Sequence, residues 1–340
     1  MENDIWTIQA ALDWTVGYLG RKGDENPRLS AQWLLSEATG LSRIELYANF
    51  ERPLSMDERD VLRGYVARRG TGEPLQYITG DVGFRHITLR VRTGVLIPRP
   101  ETEVLVSEAL TLLPPVPKRI AMDSAPEASP EDALGAQRPL RAPDRGEVQP
   151  ATEVQLAPAS SMPSELSGPL RVADLCTGSG CIACSIAYEH PLVHVIATDI
   201  EPEAIALARE NVAALNLDKR VQVVQCDLGE GIDAKLMGTF DLVVSNPPYV
   251  PTSVLAELPR AVADFEPTLA LDGGADGLDV LRRLLPWCAR ALKSDGAFAF
   301  ELHETCLGEA AALARDAGFT DIRIEHDLAG RPRILTARRP

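Results

Sequence analysis

From residue 170 onward, short apolar runs alternate with helical patterns, and this alternation leaves few folds open. Leu170-Arg171-Val172-Ala173 reads as a strand that ends at Asp174, residues 193–198 as one that ends at Asp199, and residues 221–225 as one that ends at Asp227. Helices are predicted between them, over 182–189 and 202–215. Residues 240–244 and 297–302 supply a fourth and a fifth strand, with helices over 278–292, kinked at Pro286, and 305–317. Parallel strands need long crossovers, usually helical, so the pattern predicts an α/β domain with a mostly parallel, doubly wound sheet covered on both faces. Residues 322–324 and 333–336 around Gly330 read as a terminal hairpin that makes the last strand antiparallel.

Open sheets of this kind bind ligands at the carboxyl ends of their strands. Asp174-x-x-x-Gly178-x-Gly180 lies between a strand and a helix, where glycines let the backbone approach a ligand and the helix start favours an anionic group. The spacing is not G-x-G-x-x-G, which argues against a dinucleotide. Asp199 is placed to take both hydroxyls of a ribose, and Asp227 to meet the amine of an adenine. Each acid alone reads equally as a loop cap. Three acids ending three successive strands, beside a glycine turn, read as a nucleoside-bearing pocket.

Ser245-Asn246-Pro247-Pro248-Tyr249 ends the fourth strand. Two prolines donate no ladder hydrogen bonds, so the strand must stop and the chain leaves the sheet along a fixed path. The turn offers the Asn246 amide and the Pro247 carbonyl as acceptors for a planar, weakly nucleophilic NH2, aligning its nitrogen with an electrophile. Alone, the turn reads equally as a rigid strand terminator. A glycine-rich turn over 269–277 follows and is expected to border the pocket. Cys181-x-x-Cys184 falls on a predicted helix without a second ligand pair, so core thiols are expected there and no metal. No G-x-S-x-G hydrolase signature occurs.

Ahead of this domain, residues 4–70 carry apolar positions at helical spacing (Ile5, Ile8, Leu12, Val16, Leu19) and a capping box at Ser55 and Glu58. Residues 75–79 and 87–91 alternate like strands, which predicts a β-hairpin joining two domains. Pro100 suits the first turn of a helix that runs to Leu113. Residues 114–169 hold 11 of the chain's 26 prolines and no aromatic residue, so a disordered insert is expected. A net charge of −15 argues against tight binding to bare nucleic acid. Six cysteines without a leader-like N-terminus point to a reducing cytoplasm, and no apolar run is long enough to span a membrane.

Five stretches together carry a family resemblance: Glu73-Pro74-Leu75-Gln76-Tyr77-Ile78-Thr79-Gly80, the run Val95-Leu96-Ile97-Pro98-Arg99-Pro100-Glu101-Thr102-Glu103, Asp174 to Gly180, Ser245 to Val250, and Glu266-Pro267 through Asp279. The chain resembles the protein-(glutamine-N5) methyltransferases that modify peptide-chain release factors, the PrmC/HemK family. The resemblance spans nearly all of it except 114–169. It implies a Rossmann-like class I S-adenosylmethionine-dependent methyltransferase domain over 100–340, a β-hairpin linker over 73–99, and a helical substrate-docking domain over 1–72. It implies S-adenosylmethionine as donor, with its methionine end on Cys176, Thr177, Gly178, Ser179 and Gly180, its ribose on Asp199 and its adenine near Asp227 and Leu228. Asn246 would border that donor and also, with Pro247, Pro248 and Tyr249, bind the glutamine of a Gly-Gly-Gln loop, with Asn246, Pro247 and Tyr249 catalytic. The implied partners are class 1 release factors, bound by a cytoplasmic monomer. Cys176 departs from the glycine usual in that family, and the insert adds about 50 residues before the cofactor loop. The alternatives are an amino-group methyltransferase acting on adenine or guanine, using the same turn, and a non-catalytic release-factor-binding scaffold.

Overall fold

A computed structural model describes residues 6–116 and 168–340. The expected disordered insert, 114–169, lies outside the described residues except at its two ends. The first elements are the helices α1 (Ile8–Arg21), α2 (Pro27–Thr39), α3 (Arg43–Ala48) and α4 (Met56–Gly70). Ser42 with Glu45 and Ser55 with Glu58 close reciprocal capping boxes at α3 and α4. Ile8, Leu12, Leu19, Leu34, Leu35 and Leu62 form the shared apolar core of these helices.

Residues 75–79 depart from the expected strand and form a short helix, α5 (Leu75–Thr79). Pro74 occupies its N-cap, and Gly80, at φ 86°, closes it by donating its N–H to the Gln76 carbonyl. The neighbours Tyr77 and Ile78 are both buried, as a helix allows and an alternating strand does not: Ile78 joins the helical core, while Tyr77 packs with Val91 and Ile97. The hairpin begins after Gly80, as β1 (Asp81–Phe84) paired antiparallel with β2 (Ile87–Arg90). Arg85 sits in the intervening turn at φ 52°, and its guanidinium reaches both oxygens of Glu189 at 2.6 and 2.7 Å.

The remaining elements are α6 (Pro100–Leu112), β3 (Leu170–Leu175), α7 (Cys181–Glu189), β4 (Val193–Asp199), α8 (Pro202–Ala214), β5 (Val221–Gln225), β6 (Phe240–Ser245), α9 (Arg260–Ala263), α10 (Asp279–Ala291), β7 (Leu292–Glu301), α11 (Leu307–Asp316), β8 (Thr320–His326) and β9 (Pro332–Arg338). The seven strands β3 to β9 form one sheet in the order β5-β4-β3-β6-β7-β9-β8, with β9 antiparallel to both neighbours. This is the expected doubly wound sheet with an antiparallel strand. Apolar clusters cover its two faces, one with α6 and α7, the other with α10 and α11. The strand expected at residue 297 starts earlier, at Leu292, directly after α10, and its pairing with β6 shifts register between Phe240 and Leu242. Among the described residues, no helix is long and apolar enough to cross a membrane.

Candidate active site

β3 and β6 lie side by side, yet their chains continue into opposite halves of the sheet, so a crevice opens beyond their carboxyl ends. Leu175 pairs with Ser245, and the Ser245 hydroxyl donates to the Leu175 carbonyl at 2.6 Å. The next residues, Cys176 and Asn246, therefore leave the sheet at one level. Both line a cavity of about 190 Å³, and so do Gly178, Asp199, Asp227, Leu228 and Pro248. Thr177, Ser179, Gly180, Pro247 and Tyr249 stand outside that lining set, and Thr177, Ser179 and Pro247 are buried.

The loop after β3 rests on Asp174, which is fully buried and whose Oδ2 accepts from the Thr177 hydroxyl at 2.6 Å and the Ala183 N–H at 3.1 Å. Burial pushes its carboxyl up to about 7. Gly180 follows at φ 82°, a left-handed conformation that favours glycine, and a Cβ there would sit a tight 3.3 Å from the Ala208 Cβ of α8. Cys176 adopts φ 61°, a left-handed conformation that costs a side chain roughly 1–2 kcal/mol and suits glycine. The chain thus keeps the left-handed path that a glycine would take. Burial, aided by the charge on Asp199, raises the thiol pKa and keeps Cys176 neutral.

Asp199 accepts the Gly178 N–H on Oδ2 at 2.8 Å and the Glu201 N–H on Oδ1 at 3.1 Å. A carboxylate offers about four lone-pair directions, so these bonds, with a further contribution from the Ile200 N–H, do not exhaust it at the cavity wall. Its pKa is raised by burial, against the lowering effect of those N–H groups. Leu96, Ala204, Leu228, Leu269 and Val280 supply apolar walls. A slot with apolar faces and a carboxylate at one edge fits a ribonucleoside. Asp227 is already paired with Arg283, Nη2 to Oδ2 at 2.7 Å, and both line the cavity.

On the other side of the crevice stands the turn after β6. Ser245 pairs with Phe300 of β7, so Glu301 ends β7 beside Asn246. Asn246 Nδ2 donates to Thr102 Oγ1 at 3.1 Å, and Thr102 in turn donates to Glu301 Oε2 at 2.8 Å. The Tyr249 hydroxyl donates to Glu301 Oε1 at 3.1 Å. Burial raises the Glu301 pKa, while bonds from Thr102 and Tyr249 and the charge of Arg333 oppose the rise. Burial also raises the Tyr249 phenol, as does the Glu301 charge. The glycine-rich turn packs against the back of this segment. A Cβ on Gly277, at φ 78°, would lie 2.4 Å from the Tyr249 carbonyl oxygen. Leu269 and Ala270, the first residues of that turn, line the cavity.

Thr102, Glu301, Arg283 and the pair Arg99–Glu266 were not among the residues expected at the site. Arg99 Nη2 meets both Glu266 oxygens, at 2.7 and 2.6 Å, and so ties the segment before α6 to the loop of Pro267 and Leu269. Glu301 carried a signal of its own, an acid closing the apolar run Ala297-Phe298-Ala299-Phe300. Thr102 carried a weaker one, its place in the run from Ile97 to Glu103. Cys181 and Cys184 are both buried in the core around α7, as expected for structural thiols.

Comparisons with known proteins bear on the family. A family model described as the PrmC N-terminal domain matches residues 10–80, and one described as the methyltransferase small domain matches residues 147–259. The chain is 38% identical over 339 residues to the release factor glutamine methyltransferase of Geobacter sulfurreducens, covering 98% of each chain. It is 36% identical to the protein of that name from Rhodopirellula baltica, covering 97% of this chain and 96% of the relative. It is 34% identical to that of Caulobacter vibrioides, with the same two shares.

Proposed function

The chain belongs to the release factor glutamine methyltransferase family, and from that premise we propose that it methylates the side-chain amide nitrogen of a glutamine in a peptide-chain release factor. The proposed donor is S-adenosylmethionine, which when bound supplies an electrophilic methyl group on a sulfonium. Asp199 would hold its ribose, Leu228 and Asp227 would border its adenine, and the loop from Cys176 through Thr177, Gly178 and Ser179 to Gly180 would take its methionine end.

The observation that carries the reading is the position of Asn246. It stands across the crevice from Cys176 with Nδ2 bound behind it by Thr102, which leaves Oδ1 as the end free for a substrate. An amide nitrogen has its lone pair delocalised into the carbonyl. Two acceptors, Asn246 Oδ1 and the Pro247 carbonyl, would each take one N–H and favour the pyramidal geometry of attack. Pro248 and Tyr249 would wall the side chain of the glutamine. No strong base is required, because the proton becomes acidic once the nitrogen is alkylated.

The proposed organisation is a substrate-docking helical domain over 1–72, a linker over 73–99 and a catalytic domain over 100–340, acting as a cytoplasmic monomer on class 1 release factors. The net charge of −15 weighs against the adenine or guanine alternative, since extruding a base calls for basic and stacking surface. The test is incubation with isotope-labelled donor and a purified release factor, followed by peptide mass spectrometry. One methyl group on the glutamine of the Gly-Gly-Gln loop is expected. Label on nucleic acid, or on nothing, overturns the reading.

A further inference from the structure

A primary amide is useful as an acceptor only in one of its two orientations. Turned by half a rotation about its last bond, Asn246 would show two donors to the substrate N–H in place of a carbonyl. The side chain of Asn246 does not make that choice, and neither does the cavity it lines. The choice is made behind it. An ionised carboxylate only accepts, so the single proton of the Thr102 hydroxyl is committed to Glu301 Oε2 at 2.8 Å. The Thr102 oxygen is then left with lone pairs alone, and the only part of Asn246 that can satisfy it is the NH2, found 3.1 Å away.

The other oxygen of Glu301 is occupied by the Tyr249 hydroxyl at 3.1 Å, so one carboxylate anchors both polar side chains of the turn. Thr102 and Glu301 are each 1% exposed, which keeps water from substituting for either. Arg333, on the adjacent strand and 8% exposed, supplies the compensating charge that favours the ionised form of Glu301. Thr102 reaches this position from the first turn of α6, where Pro100 starts the helix.

We infer that Thr102 and Glu301 are positioning residues for methyl transfer: the buried carboxylate, acting through the threonine hydroxyl, fixes which end of the Asn246 amide faces the substrate nitrogen. The inference rests on the reading of Asn246 as the acceptor. Neither residue lines the cavity, so their removal should act on turnover and spare binding.

The experiment compares Thr102→Val, Thr102→Ser and Glu301→Gln with the wild-type protein. Valine has the shape of threonine without its hydroxyl, serine keeps the hydroxyl, and glutamine replaces one acceptor of the carboxylate by a donor. Thr102→Val and Glu301→Gln should each lower kcat by about 10- to 100-fold, less than loss of a direct transition-state contact. Donor Kd and release-factor KM should stay within about threefold, the signature of an interaction felt only in the transition state. Thr102→Ser should stay within about threefold of wild type in kcat, a rescue that a purely packing role of the Thr102 methyl would not give. A second readout needs no substrate. In 15N-resolved NMR the Asn246 side-chain NH2 should be protected from exchange in the wild type and in Thr102→Ser, and exposed in Thr102→Val. Unchanged kcat in Thr102→Val and Glu301→Gln, or unchanged protection of the Asn246 NH2 in Thr102→Val, overturns the inference. A wild-type protein that leaves the release factor unlabelled overturns the glutamine reading instead, and the exchange comparison then decides the orientation by itself.

Discussion

The backbone N–H of Gly178 donates to Asp199 Oδ2 at 2.8 Å, so the loop after β3 is closed by the side chain that ends β4. Asp199 therefore serves two partners, a loop of its own chain and the proposed ribose. Asp199→Ala removes both at once and should cost about 2–4 kcal/mol of donor affinity. Asp199→Asn retains one acceptor, which either the loop or the ribose must forgo, and should fall between. Calorimetric titration with S-adenosylmethionine reads both. Undiminished affinity in a folded Asp199→Ala protein removes Asp199 from the site.

Asp174 gives the fold a pH dependence of its own. It is fully buried, and among the described residues its Oδ1 has no hydrogen-bond partner. Desolvation is the main cause of a pKa raised from 3.8 to about 7. The folded protein then binds this proton more tightly than the unfolded chain does. The resulting stability is complete below the unfolded pKa, declines as pH rises above it, and is lost once the folded value near 7 is passed. Asp174→Asn carries no such charge. Its Tm, relative to wild type, should rise as pH increases from the unfolded value of 3.8 to the folded value of about 7, and level off above it. A constant difference between the two melting curves across that range would show that Asp174 does not titrate there.

Gly277 fits against the turn that carries the chemistry. Its φ of 78° and the 2.4 Å that would separate a Cβ from the Tyr249 carbonyl oxygen both exclude a side chain. Gly277→Ala should cost about 1–3 kcal/mol of stability from backbone strain, with the clash in addition. Because the displaced atom is backbone of Tyr249, turnover should fall further than donor affinity. Gly308→Ala is the control, since among the described residues nothing lies within 4 Å of its Cβ position and it sits inside α11. That change should be neutral or stabilise by about 0.5–1 kcal/mol. Equal effects of the two substitutions on turnover would show that the glycine turn does not support the site.

The sheet was legible because its signals are local. Each strand from β3 to β6 is a bounded apolar run, and Asp199 and Asn246 each follow or close one. Residues 75–79 suggest a strand because Leu75-Gln76-Tyr77-Ile78-Thr79 alternates in polarity, while Pro74 and Gly80 cap it as one helical turn. Alternation over five residues carries less information than those two backbone constraints. The turn marks Asn246 in the sequence as a proposed acceptor, but nothing local marks the hydrogen bonds behind it. Thr102 lies 144 residues from Asn246 and 199 from Glu301 in sequence, and their hydrogen bonds exist only once α6, β6 and β7 are assembled. Arg99 and Glu266, 167 residues apart, meet for the same reason.

The last prediction concerns Asn246 itself. Asn246→Ala removes one of the two proposed acceptors and should lower turnover by about 10²–10³, as loss of one preorganised donor does at an oxyanion site. Asn246→Asp is more informative, because it places a second carboxylate across the Thr102 hydroxyl from Glu301. One hydroxyl proton cannot serve two carboxylates, so this variant needs an additional proton. Glu301 is the group to take it, since burial already raises its pKa above the ordinary carboxylate range and the new charge raises it further. Protonated Glu301 would donate to Thr102, Thr102 would donate to the new carboxylate, and the second oxygen there would face the substrate as an acceptor. Arg333 opposes that uptake, while Glu101, the Tyr249 hydroxyl and the Cys181 thiol are further polar groups near Glu301. In the wild type the ionised form of Glu301 is the working one, so turnover should decline as pH falls through its raised pKa. In Asn246→Asp the direction reverses, and the small residual turnover should grow as pH falls. Single-turnover methylation of a release factor, with donor affinity measured alongside at each pH, tests both. An Asn246→Asp profile that declines with the wild type overturns the Thr102 relay, and near-normal turnover in Asn246→Ala would reduce the turn to a strand terminator.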